Sequence, residues 1–220
     1  YIPVFLSLAG LLMLAGLLAS TLPGTRLPVL MAVALIGAGG LAKASWKLIW
    51  VLSQLDHAWL ANLLFILMAP GMVILAFHVA AATPAWRTTT AGASPAAGSQ
   101  ALHRSLVVIG LAWGLALVSA YTQTEGKTWF FILLATASFA NITISTLLIR
   151  VAWRLNQHLT SGLFLLSILL ILSLSGLARV SEGSAPLQWL AECLNTLAHG
   201  SFALAVWRLR RVIPSAATQL

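Results

Sequence analysis

Residues 59–76 read WLANLLFILMAPGMVILA, without one charged side chain, and the apolar run continues through FHVAAA to residue 82. A helix crossing the hydrocarbon core of a bilayer needs roughly 20 such residues. Comparable runs occupy 2–20, 28–50, 105–122, 128–149, 161–178 and 187–207. Of the 220 residues, 60% are hydrophobic and 7% charged, and the mean hydropathy is +0.97. A water-soluble domain of this length has too much surface for its volume to hide so much apolar area. The expectation is an all-α integral membrane protein with seven transmembrane helices.

The charges then orient the chain. Arg26, Arg87, Arg104, Arg150, Arg154, Arg208, Arg210 and Arg211 fall at one end of the expected spans. Lys43, Lys47, Lys127 and Arg179 fall at the other, together with all four acids, Asp56, Glu125, Glu182 and Glu192. Lys and Arg accumulate in cytoplasmic loops, so the N-terminus is expected outside and the C-terminus inside, in a bacterial inner membrane. Trp46, Trp50, Trp59, Trp86, Trp129, Trp153, Trp189 and Trp207 sit near span ends, where amphipathic rings anchor at headgroups. The net charge of +8 is too dispersed for a nucleic-acid surface. The single Cys193 excludes an intramolecular disulfide and a CxxC site.

Part of the chain reads twice. GLAKAS at 40–45 precedes WLANLLFILMAPGMVILA, and GLARVS at 176–181 precedes WLAECLNTLAHGSFALA at 189–205. The alignment pairs Lys43 with Arg179, Trp59 with Trp189 and, after a one-residue gap, Gly71 with Gly200. Four spans separate the copies, so they share an orientation and form parallel repeats. The organisation becomes a first three-helix repeat (1–82), a flexible cytoplasmic loop (83–103), linking helix 4 with an outer loop (104–127), a second three-helix repeat (128–211) and a tail (212–220). This layout resembles the 3+1+3 arrangement of SWEET-type sugar transporters, which has also been proposed for opsin-like seven-helix proteins. The resemblance implies a pocket between two triplets of helices. Span 7 contains no Lys, so no retinal Schiff base forms there.

Ionisable groups inside a span are costly and are functional candidates by default. Glu192, Asn195 and His199 recur at helical spacing in span 7 and share one face. Asn141 of span 5, flanked by Ser138 and Ser145, is expected to find a hydrogen-bonding partner, because an unpaired buried amide costs on the order of 2–7 kcal/mol. Lys43, Lys47 and Arg179 suggest a basic outer rim closed by Asp56 or Glu192. Gly110 and Gly114 in span 4 allow close helix contact. His78 and His199 are the weak haem candidates, because no HxxH, HxxxH or HExxH spacing is present. No metal site, nucleotide fingerprint or catalytic triad is legible, so an enzyme is disfavoured. The leading expectation is a carrier or binding protein for a small, anionic or lipid-like ligand. The alternative is a non-catalytic accessory or scaffold subunit of a larger membrane complex and, third, a b-type haem protein; the expected partners are the lipid bilayer, the ligand, and other membrane subunits or further copies of the chain.

Overall fold

The computed structural model describes residues 1–22, 24–88, 95–122, 126–177 and 185–213. Among these there are seven helices and no strands: α1 (Ile2–Thr21), α2 (Arg26–Ser53), α3 (Ala58–Thr88), α4 (Pro95–Thr122), α5 (Thr128–Arg154), α6 (His158–Leu177) and α7 (Ala185–Val212). Five of them, α1 to α5, are long and apolar enough to cross a membrane, as an integral membrane protein requires. The described apolar part of α6 is shorter, His158–Leu174, and α7 carries Glu192 and three Arg.

The connections are short and turn where left-handed backbone is available. Gly24 takes φ +79° between α1 and α2, Gln54 takes φ 57° after α2, and Asn156 takes φ 56° between α5 and α6. Glycine adopts this region freely and Asn tolerates it. The 83–103 stretch is helical at both ends, because α3 runs on to Thr88 past Pro84 and α4 starts at Pro95. Proline suits a first helical position, where its missing N–H has no intrahelical partner to lose.

Packing contacts close a ring in the order α1, α2, α3, α5, α6, α7 and back to α1, while α4 lies outside against α3 and α5. Glycines set the closest approaches. A Cβ on Gly71 would lie 2.6 Å from the Ala32 carbonyl oxygen and one on Gly39 would lie 2.8 Å from that of Leu64, so α2 and α3 touch backbone to backbone. Gly10 does the same between α1 and α7, against Phe202 and Ala203. Gly110 and Gly114 meet nothing within 4 Å and face outward from α4.

The main core is confined to one half of the ring. It joins Leu14 and Leu18 of α1, Val29 and Ala32 of α2, Leu75 and Val79 of α3, Leu148 and Val151 of α5, Phe164 of α6, and Val206 and Leu209 of α7. Arg26, Arg150, Arg154, Arg208, Arg210 and Arg211 stand at the same end of these helices. Trp86 belongs to this core rather than to an interfacial belt: it is 2% exposed and its Nε1 donates to Thr21 Oγ1 at 2.8 Å. A polar partner within the bundle removes the need to reach the headgroups. Trp59 and Trp189, the aligned pair, are both outward-facing and exposed. A smaller cluster of Ala69, Ala116, Leu133 and Ala137 holds α4 against α3 and α5 nearer the opposite end.

Candidate functional site

A helix keeps one face at steps of three and four residues. Along α7 that face reads Glu192, Asn195, His199, Phe202, Val206, Leu209 and Ile213. The last three are buried, Val206 and Leu209 completely, whereas Glu192, Asn195, His199 and Phe202 are partly exposed. The core-facing side of α7 therefore emerges from the packed region on going toward its N-terminus. The same change runs along α1, its packing neighbour, and along α2 and α3. On α2, Val29, Ala32 and Ile36 are buried, Gly40 and Lys43 are partly exposed, and Lys47 is exposed. On α3, Leu75, Val79 and Ala82 are buried, and Ala61, Leu64 and Met68 on the continued face are not. On α1, Leu11, Leu14 and Leu18 are buried and Val4 and Leu8 are partly exposed. These faces thus lose burial toward the Arg-poor end and are densely packed toward the Arg-rich end, although α2 still meets α3 backbone to backbone at Gly39 and Leu64.

The polar candidates gather on the less buried stretch. Lys47 Nζ of α2 donates to Glu192 Oε1 of α7 at 2.5 Å. The two helices are not packing neighbours, since each flanks α1, so long side chains bridge what the backbones do not. The pair remains 54% and 45% exposed, and solvent screening limits such a contact to about 0–1 kcal/mol. It is a loose tie, not a structural bond. Lys43, one turn from Lys47, lies within electrostatic range of both partners. Trp46 Nε1 donates to Asp56 Oδ1 at 2.9 Å. Asp56 thus serves an indole in the connection after α2 and not a lysine of the rim. Thr196 Oγ1 donates back to the Glu192 carbonyl at 2.7 Å, which leaves the neighbouring Asn195 side chain free of competition from its own turn.

Other expectations fare differently. Asn141 lies just above the buried α5 positions Ser145, Leu148 and Ala152; it is partly exposed and has no side-chain hydrogen bond among the described residues. The expected interhelical partner is absent there among the described residues, although α5 stays packed beyond this level through Ala137 and Leu133. Arg179 lies outside the described residues, so its pairing with Lys43 rests on sequence alone. The two haem candidates occupy different surroundings. His199 is partly exposed at mid-helix, and His78 is fully buried in the dense half. The His78 ring meets its own helix through Nδ1 and the Ile74 carbonyl at 2.8 Å, and its Nε2 has no partner among the described residues. Trp113 Nε1 on α4 is likewise buried and unpartnered. Neither orphan atom was expected from the sequence, although His78 falls on the buried side of an apolar helix, where a ring nitrogen is hard to satisfy. Among the described residues no group of three or more His, Cys, Asp or Glu could hold a metal ion.

Comparison with known proteins found no matching family model, no similar curated protein and no similar solved structure.

Proposed function

We propose that the chain is a seven-span carrier or binding protein of a bacterial inner membrane, holding a small ligand between α1–α3 and α5–α7. The ligand enters at the Arg-poor end, which faces outward, and the packed Arg-rich half forms the closed floor. The observation that supports this reading is the common loss of burial along the inward faces of α1, α2, α3 and α7. Lys43, Lys47, Glu192, Asn195 and His199 lie where those faces lose burial. Polar groups placed in a dry centre would each carry a desolvation cost; at an opening they meet water or ligand. An accessory subunit needs no such loss of burial between its own helices, only a flank for its partner.

The two-half arrangement is supported by the ring order, in which the α1–α2 and α2–α3 contacts have counterparts in α5–α6 and α6–α7 while α4 stands apart; the α1–α3 contact has no comparable α5–α7 counterpart among the described residues. Individual positions have diverged. Gly71 presses on α2, whereas its aligned partner Gly200 has only Leu6 of α1 within 4 Å. The repeat in this reading is one of helix order, no longer of each contact.

The test combines labelling and native mass spectrometry. In a Cys193→Ser background, His199→Cys should react with a small hydrophilic thiol reagent and Val206→Cys should not. Wild-type protein in mild detergent should carry a small molecule that is lost on Asn195→Leu. Equal inertness of positions 199 and 206, with a stoichiometric protein partner in place of a small molecule, would replace the carrier reading by the accessory one.

A further inference from the structure

The less buried end holds an unbalanced set of charges. Lys43 and Lys47 stand one turn apart on the inward face of α2. The carboxylate that meets them, Glu192, is bonded to Lys47. Asp56 accepts from Trp46. Lys43 has neither an ion-pair nor a hydrogen-bond partner among the described residues, although it is the deeper and less exposed of the two lysines. An ammonium inside an apolar wall, sharing one distant carboxylate with a second lysine and bonded to none, is costly. Nothing in the fold requires it there, because Lys43 ties no helix to another.

We propose that Lys43 anchors the acidic group of an anionic ligand, a carboxylate or a phosphate ester, and that this group displaces Glu192 from Lys47. The proposal rests on the opening being a ligand site, as argued above, and adds the ligand's charge and the role of the ion pair. The chemistry is that of exchange between acids. Two neighbouring ammonium groups with one carboxylate leave one positive charge in excess, and an incoming anion binds between both lysines only by repelling Glu192. Charge-assisted hydrogen bonds to an anionic oxygen are the strong ones, whereas the half-exposed pair they replace is weak. Asn195, one turn from Glu192 on the same face of α7, offers an amide with no side-chain bond among the described residues. Because α2 belongs to one half and α7 to the other, loading the anion unties the two halves at the mouth.

This assigns opposite signs to two substitutions on facing helices. Removing Lys43 weakens binding of the anion, and neutralising Glu192 strengthens it, since its competitor for Lys47 is gone. The experiment uses the full chain purified in a neutral maltoside detergent, at fixed ionic strength. Hexyl phosphate is the probe, hexanol is its uncharged control, and binding is read as a saturable shift in melting temperature. Lys43→Met and Lys43→Gln should each lose affinity by roughly tenfold or more, as expected for loss of a charge-assisted contact. Glu192→Gln should bind several-fold more tightly while melting, without probe, near wild type. A parallel arm records native mass spectra from nanodiscs of phosphatidylcholine with and without phosphatidylglycerol. Lys43-dependent retention of phosphatidylglycerol, with no response to hexyl phosphate, would uphold the anion site with a lipid headgroup as its source and remove the carrier reading. Hexanol binding as well as hexyl phosphate, or binding indifferent to Lys43, would overturn the anion site and leave the small-ligand reading standing. Weaker binding by Glu192→Gln would overturn the exchange.

Discussion

Glycine positions that look alike in the sequence divide sharply once neighbours are known. Gly71 and Gly110 both interrupt apolar helices, yet a Cβ at Gly71 would sit 2.6 Å from a backbone oxygen of α2, while one at Gly110 would meet nothing within 4 Å. Backbone cannot step aside as a flexible side chain can, so Gly71→Ala should separate α2 from α3 at a cost of about 1–3 kcal/mol. Gly110→Ala should be neutral or stabilising by about 0.5–1 kcal/mol, through the lost conformational freedom of glycine. Equilibrium unfolding in mixed micelles measures both, and a Gly71→Ala variant as stable as wild type would contradict the close approach. The residue scale is also where the sequence was least informative. The run 59–82 announced a helix, but nothing in it distinguishes Gly71 from Gly110, or tells that His78 points into a dry core, or that Trp86 turns inward to Thr21. Those outcomes depend on which neighbour arrives, a long-range matter that local spacing does not encode. The stripe Glu192, Asn195, His199 was legible because helical periodicity alone puts the three on one face. The Lys47–Glu192 contact was foreshadowed only by charge sorting, which placed both groups at the same end of the bundle.

At the scale of elements, the seven apolar runs of the sequence correspond to the seven helices, and the differences lie at their ends. Hydropathy reports where lipid-compatible residues stop, not where backbone hydrogen bonding stops, so the polar and small residues of 83–88 and 95–103 prolong α3 and α4 beyond their apolar parts. The position of α4 was likewise illegible, since its composition resembles that of the ring helices. Its attachment depends on small residues: Ala116 is 6% exposed and packs with Ala69, Leu133 and Ala137. Ala116→Leu should therefore overfill this contact and cost about 1–3 kcal/mol, whereas Leu117→Ala, on the outward side, should be silent. Because α4 touches only α3 and α5 within the ring, faster amide hydrogen exchange should be confined to α4 and its contact faces. The α2 and α7 walls should keep both their protection and their anion binding. Loss of protection along α7 in Ala116→Leu would mean that α4 supports the opening directly.

For the whole molecule, the distribution of charge and the distribution of packing point along the same axis. Arg26, Arg150, Arg154, Arg208, Arg210 and Arg211 stand at the end where six helices share a dense core, and Lys43, Lys47 and Glu192 stand at the less buried end. The retention of Lys and Arg on the cytoplasmic side during insertion acts on the chain before any packing forms. Close packing acts afterward and is indifferent to the sign of charge. In the proposed reading their agreement gives the molecule a direction, with the packed half toward the cytoplasm and the less buried half toward the outside. Single cysteines in a Cys193→Ser background test this directly. Lys127, at the Arg-poor entrance to α5, and Ser99, near the Arg-rich start of α4, are both exposed, so reactivity at either depends on the side reached rather than on burial. A membrane-impermeant maleimide should label Lys127→Cys in intact spheroplasts and Ser99→Cys only in inside-out vesicles. His199→Cys should follow the pattern of Lys127→Cys, through the mouth, and hexyl phosphate should slow its labelling if the acidic group docks at Lys43 above it. Labelling of Ser99→Cys in intact spheroplasts would invert the molecule, and the same opening would then receive its ligand from the cytoplasm.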